Sequence, residues 1–147
     1  MASFSKLNGF VEHLAEGVHN LGSDSLVLAL TNTAPSGESN DPSAATSNCV
    51  KAELTEVSYT NLSSRAVTVS ASAQTSGTYQ LTCADVTLTA TGGSVGPFQY
   101  VYLVNDTPTS PADPLVGYWD YGSALTLATG ESLTVDFDGT SGVLQIA

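Results

Sequence analysis

Residues 66–93 read AVTVSASAQTSGTYQLTCADVTLTATGG, and along most of this stretch apolar and hydroxyl side chains take turns. Val67 and Val69 oppose Thr68 and Ser70, while Val86, Leu88 and Ala90 oppose Thr87, Thr89 and Thr91. A period of two sends one set to a packed face and the other to solvent, which is the pattern of a half-buried β-strand. Working outward, further strands are expected at Val50–Tyr59, Ala66–Ser72, Thr78–Thr82, Asp85–Thr91, Phe98–Asn105, Leu115–Tyr121, Ala124–Leu127, Ser132–Phe137 and Val143–Ile146. The run LVLAL within Leu26–Thr31 suits a strand buried on both faces. Gly92-Gly93, Ala128-Thr129-Gly130-Glu131 and Asp138-Gly139 with Ser141-Gly142 read as hairpin connections. Short strands with regular turns predict a mainly β protein: an antiparallel β-sandwich or barrel-like domain.

Two segments break this pattern. Leu7, Phe10, Val11, Leu14, Val18 and Leu21 recur at spacings of three and four, predicting one N-terminal amphipathic α-helix over residues 5–20. Ser5 is its expected N-cap, Gly22 its stop, and Glu12, His13 and Glu16 its outward face. Gly9 and Gly17 weaken it by about 1 kcal/mol each, so it must be held by docking. Residues 32–48 are rich in Pro, Ser, Asn and Gly, lack periodicity, and are expected to form a long surface loop. No internal repeat emerges, and residues 1–147 are expected to form a single β-rich domain.

Composition excludes more than any motif suggests. Three cations, Lys6, Lys51 and Arg65, stand against fourteen carboxylates, giving a formal charge of −11. That opposes the phosphate neutralisation on which nucleic-acid affinity rests, and adsorption to anionic membranes. Neither nucleic acid nor membrane is therefore an expected partner; protein or sugar is. No apolar run reaches membrane-spanning length, and MASFSKLNGF lacks the features of a signal peptide, so synthesis in the cytosol is expected. In that setting the glycosylation patterns at Asn61-Leu62-Ser63 and Asn105-Asp106-Thr107 carry little meaning. Cys49 and Cys83 read as two reduced thiols packed as small hydrophobes.

Catalytic constellations are missing from the pattern. His13 and His19, six apart on the expected helix, fall about 120° apart around its axis and make no ligand pair. No serine or cysteine sits in a nucleophile elbow, and Gly92, Gly93 and Gly96 lack the basic residue of a phosphate loop. Asp120, Asp136 and Asp138 offer oxygens for calcium, but DFDGTSG lacks a closing acidic ligand, and turn carboxylates bonded to their own backbone are the stronger reading. No enzyme, catalytic residue, metal or cofactor is expected. The densest aromatic block is Tyr118-Trp119-Asp120-Tyr121. Either these rings form an exposed platform that stacks on sugars, or alternation places Trp119 in the core; a strand aromatic favours the core.

The segments FVEHLAEGVHNLGSDSLVLALTNTAP, AQTSGTYQL, GGSVGPFQYVYLVNDT and DPLVGYWDYGSALTLATGESLTVDFDGTSGVLQIA resemble a group of small tailed-bacteriophage virion proteins. The C-terminal block is the most specific part of the likeness. The resemblance implies a non-enzymatic structural protein, most like a head decoration or cement protein. Such a protein binds the outer capsid surface and bridges major capsid protein subunits, with a tail-tube or other tail component as the alternative. It also implies a homo-oligomer, taken as a trimer at three-fold positions. In that reading Ala2, Ser3, Phe4, Ser5 and Lys6 form an arm reaching onto the major capsid protein, and Tyr118, Trp119 and Tyr121 contribute to capsid or subunit contact. Deleting residues 2–5 would then weaken capsid occupancy and leave the fold intact.

Overall fold

The computed structural model describes residues 2–36 and 48–147. It is mainly β, with antiparallel sheets and a single α-helix near the N-terminus, as the alternation implies. The strands are β1 (Phe4–Lys6), β2 (Leu26–Thr31), β3 (Ala66–Val67), β4 (Val69–Thr75), β5 (Thr78–Cys83), β6 (Val86–Thr89), β7 (Val95–Asn105), β8 (Leu115–Leu127), β9 (Ser132–Val135) and β10 (Leu144–Ile146). They form a five-stranded sheet ordered β1-β8-β7-β2-β3, a three-stranded sheet ordered β10-β5-β4, and the pair β6-β9. The arrangement is sandwich-like, with one contiguous core that includes Leu28, Leu30, Leu81, Leu88, Phe98, Val101, Trp119 and Phe137.

β2 is buried at Leu26 and from Leu28 through Thr31, as its unbroken apolar run requires. The other sheets and an irregular covering segment share the task of enclosing the five-stranded sheet. This segment replaces the strand expected at Val50–Tyr59. Lys51–Glu53 is one turn of 3-10 helix, and only single bridges join Val50 to Pro114 and Thr31 to Glu56. A strand cannot form there because β3 and Arg65 take part of β2's edge: Leu28 N–H bonds the Arg65 carbonyl at 3.0 Å, while Val57 reaches only the Leu30 carbonyl, also at 3.0 Å. Cys49 closes the segment with a bond from Leu115 N–H to its carbonyl at 2.8 Å. Both cysteines are free and buried, as expected of packing thiols. Most of the loop expected over residues 32–48 lies outside the described residues.

The helix is shorter than its periodicity suggests. α1 spans Asn8–Ala15, with Leu7 rather than Ser5 at its N-cap and no capping side chain. Phe4–Lys6 is extended instead, because β8 recruits it: Phe4 is in register with Trp119, Ser5 with Tyr118 and Lys6 with Gly117. At the other end Gly17, at φ +77°, stops the helix five residues before Gly22. Val18 N–H bonds the His13 carbonyl at 2.8 Å and Gly17 N–H the Leu14 carbonyl at 3.2 Å, the paired bonds of a Schellman cap. Of the expected apolar stripe, Leu7, Phe10 and Leu21 are buried, and Val11 is exposed.

All three expected hairpins are connections between sheets; the 138–142 turn carries the chain from β9 to β10, which pairs with β5. β6 pairs with β9, not with β7, so Gly92-Gly93 and the 128–131 turn each carry the chain from one sheet to another. The tightest hairpin is instead Ser76-Gly77 between β4 and β5, where φ of +52° and +88° gives the mirror-image turn that suits strand twist.

Candidate docking edge beside Trp119

Of the residues that sequence reading grouped as partner contacts, Ala2, Ser3, Phe4, Trp119 and Tyr121 come together, though not as a free arm, and Ser5, Lys6 and Tyr118 line neither groove described below. Ala2, Ser3 and Phe4 lie along the β1 edge of the large sheet, and β1 is part of that sheet. Trp119 is 2 % exposed and is therefore core. Its ring centroid lies 4.9 Å from Phe4 and 5.1 Å from Phe137, tilted against one and edge-on to the other. This excludes Trp119 as an exposed stacking platform. A residue is needed at Gly117 that leaves room for this packing: an added Cβ would run into the Phe4 ring and the Ser5 carbonyl.

Alternation splits the aromatic block across the sheet. Tyr118 faces away from Trp119 and joins Tyr102, 5.6 Å between centroids, and Tyr100, 6.4 Å. Tyr102 is fully buried and donates to the Thr33 carbonyl at 3.1 Å. Burial, reinforced by its tyrosine neighbours, pushes the Tyr102 hydroxyl above the usual phenol range. Ser5 and Lys6 pair with Tyr118 and Gly117.

Two shallow grooves meet at Ala2 and Trp119. One, of about 470 Å³, runs between Asp120, Tyr121, Leu133 and Asp136; the other, of about 540 Å³, runs between Phe4, Asp136, Asp138 and Val143. Their floor is aromatic and their walls are acidic. Asp120 is oriented by Gln99 Nε2, which donates at 2.9 Å, and by the Gly122 N–H at 2.7 Å. Tyr121 is shifted upward by burial and by the Asp136 charge. Asp138 accepts from the N–H groups of Ser141 and Thr140 at 2.8 and 2.7 Å, and these bonds hold its carboxyl below the usual range. It is the backbone-bonded turn carboxylate that the sequence suggested. Among the described residues no group of three or more His, Cys, Asp or Glu is placed to hold a metal. The contribution of β9 to these grooves was invisible in sequence, because nothing there says that β9 leaves β8 and pairs with β6.

The cations are largely engaged inside the molecule. Lys51 Nζ lies 2.8 Å from Asp113 and 3.3 Å from Asp106. Burial pulls its ammonium pKa down, but the bonds and charges of Asp113 and Asp106 outweigh that and hold it above the usual value. The Arg65 guanidinium sits 3.6 Å over the Tyr59 ring and donates to the Leu28 carbonyl.

The histidines also differ from expectation. His19 lies beyond the helix, is 7 % exposed, and brings its ring to 6.0 Å from that of His13. Asn105 Nδ2 donates to His19 Nδ1 at 3.1 Å and to Asp24 Oδ2 at 2.6 Å, while Asn105 Oδ1 accepts from Thr107 N–H. His19 Nδ1 is thereby an acceptor, which puts the proton of the neutral ring on Nε2. Comparison with known protein families, with curated proteins and with solved structures finds no match to this chain.

Proposed function

We propose that this chain is a non-enzymatic structural protein of a tailed-bacteriophage particle, bound to the outer capsid surface and stabilising the shell by bridging major capsid protein subunits. The observation that carries the reading is the meeting of the N-terminal strand with the Trp119 block. Together they make a rigid, aromatic-floored edge walled by Asp120, Asp136 and Asp138. Such an edge suits a basic, extended segment of a protein partner, because carboxylates on a groove rim steer cations and apolar floor supplies the burial. In this reading Ala2, Ser3, Phe4 and Tyr121 act as a preformed surface backed by the buried Trp119, and no segment has to order on binding. Weak contacts of this size gain strength through the many copies on a shell. Tail location remains the alternative within the same proposal, since an acidic surface also suits a wall past which DNA slides.

The test is cryo-electron microscopy of the intact particle with this chain fitted to the density. Density on the outer shell, with the Trp119 edge against the major capsid protein, supports the reading; density in the tail moves the protein there. Charge reversal at Asp136, which is exposed, should lower shell occupancy without altering the fold. Unchanged occupancy sinks this edge as the contact.

A further inference from the structure

The sheet β10-β5-β4 contains no charged residue: its strands read LQI, TYQLTC and VSASAQT. In a chain with fourteen carboxylates this neutrality is local, and it extends unbroken from Ala66 to Ala84. One side of the sheet packs Leu81, Cys83 and Leu144 into the core. The other presents Ala71, Ala73 and Thr75, paired with Thr82, Gln80 and Thr78, a low surface without bulky or charged groups.

β4 is also an open edge, with β5 on one side and, among the described residues, no strand on the other. Its hairpin has two turn residues, Ser76 and Gly77, so Thr75 and Thr78 form a hydrogen-bonded pair. Alternation makes Ala73 and Gln80 another such pair and leaves Ser72 and Gln74 in the intervening positions. The N–H and C=O groups of Ser72 and Gln74 therefore point away from β5, and among the described residues no backbone bond reaches them. The other edges are blunted. β1 is three residues long and ends in Lys6, β3 has two residues, and β10 has three. β6 is covered by Ser63, whose N–H bonds the Thr89 carbonyl at 3.0 Å and whose hydroxyl accepts Thr89 N–H at 2.9 Å. β9 is flanked by Glu131 and Asp136. β4, at seven residues, has a register shift between Val69 and Ala71, and from Ala71 to Thr75 its pairing is regular and its outer edge carries no charge or proline.

We propose that β4 pairs antiparallel with β4 of a second copy, about a two-fold axis through Ala73, to make one continuous six-stranded sheet. With Ala73 opposite its own copy, Ser72 faces Gln74 of the other chain, and every outward N–H and C=O of both residues finds a partner. Charge selects a second copy as the occupant. Two chains of −11 repel over most approaches, and this sheet is the face on which carboxylates do not meet. A basic partner would be drawn instead to the acidic edge beside Trp119. The pairing does not depend on the virion reading, and it is two-fold where the bacteriophage resemblance implies three-fold.

Sedimentation equilibrium of the intact protein, with two variants, tests it. The wild type is expected to dimerise. Ser72→Pro removes an outward N–H without touching the β5 ladder and should weaken dimerisation roughly a hundredfold, with an unchanged circular dichroism spectrum. Ala73→Cys should form an intermolecular disulfide under mild oxidation, because Cα atoms directly opposite in the non-hydrogen-bonded position lie about 4.5 Å apart, within disulfide range. A wild type that stays monomeric to about 1 mM, or that forms trimers, overturns the proposal. So does a dimer that Ser72→Pro leaves intact. If Ser72→Pro does not fold, the cross-link decides: disulfide dimer supports the pairing, and its absence overturns it.

Discussion

Phe4 and Trp119 are register partners across the β1–β8 ladder, and their rings meet at 4.9 Å on the buried side of the sheet. The first residues of the chain thus help to close the core around its single tryptophan. Phe4→Ala should cost about 1–3 kcal/mol, less than full burial would give because Phe4 is only half-buried. Trp119→Ala, at a fully packed site, should cost roughly 3–5 kcal/mol. Urea unfolding measures both, and a red shift of tryptophan emission in Phe4→Ala reports the opened edge. If removing residues 2–6 changes neither stability nor emission, β1 does not hold the core as described.

Gly117→Ala is expected to displace β1 although it adds one methyl group. The new Cβ competes with the Phe4 ring and the Ser5 carbonyl, and overpacking of this kind costs about 1–3 kcal/mol. Hydrogen exchange should show loss of protection at Leu7, whose N–H bonds the Val116 carbonyl at 3.1 Å. Retained protection there would mean that the strand accommodates the methyl.

Arg65→Lys keeps the charge and should still destabilise the protein by about 1–2 kcal/mol, because an ammonium cannot both cover the Tyr59 ring and meet the Leu28 carbonyl as a planar guanidinium does. Thermal melts of the two forms at one ionic strength give the comparison; equal melting temperatures would reduce Arg65 to a surface charge.

His19 should resist protonation. Burial, and then the nearby His13, lower its pKa from 6.5 to about 4, with Asp24 acting in the opposite direction. Above pH 6.5 the ring is neutral in both folded and unfolded chains, and its full contribution to stability is present. As pH falls from 6.5 toward 4, only the unfolded chain takes up the proton, so up to roughly 3 kcal/mol is lost across that window. An NMR titration in which the His19 ring signals move near pH 6.5 would contradict the buried setting.

What sequence could reveal followed from repetition along the chain. The period of two in Val86–Thr89, the double-sided burial of Leu26–Thr31 and the core position of Trp119 are local consequences of side-chain order. Pairing is not local. Phe4–Lys6 had the composition to extend a helix, and it became a strand only because β8 offers an open edge more than a hundred residues away. Gly92-Gly93 has turn chemistry whichever strand follows it, so composition could not separate a hairpin from a crossing between sheets. His19 was misplaced for a similar reason: Gly17 closes a helix whose apolar spacing continues past it. In the candidate site, sequence reading named Ala2, Ser3, Phe4, Trp119 and Tyr121 along with Ser5, Lys6 and Tyr118 but could not say that the first five line one edge, and the wall supplied by β9 likewise depends on tertiary pairing.

The placement of the three cations bears on survival as well as on charge. A trypsin-like protease needs a basic side chain on a segment that can be drawn out into its cleft. Lys6 lies in a hydrogen-bonded strand, Lys51 in a helical turn tied to Asp106 and Asp113, and Arg65 flush over Tyr59 with its carbonyl bonded to Leu28. Every bond such an enzyme recognises in this chain is therefore locked into secondary or tertiary structure, and digestion must wait for unfolding. A particle surface covered with such a chain would present digestive proteases of that specificity with nothing to grip.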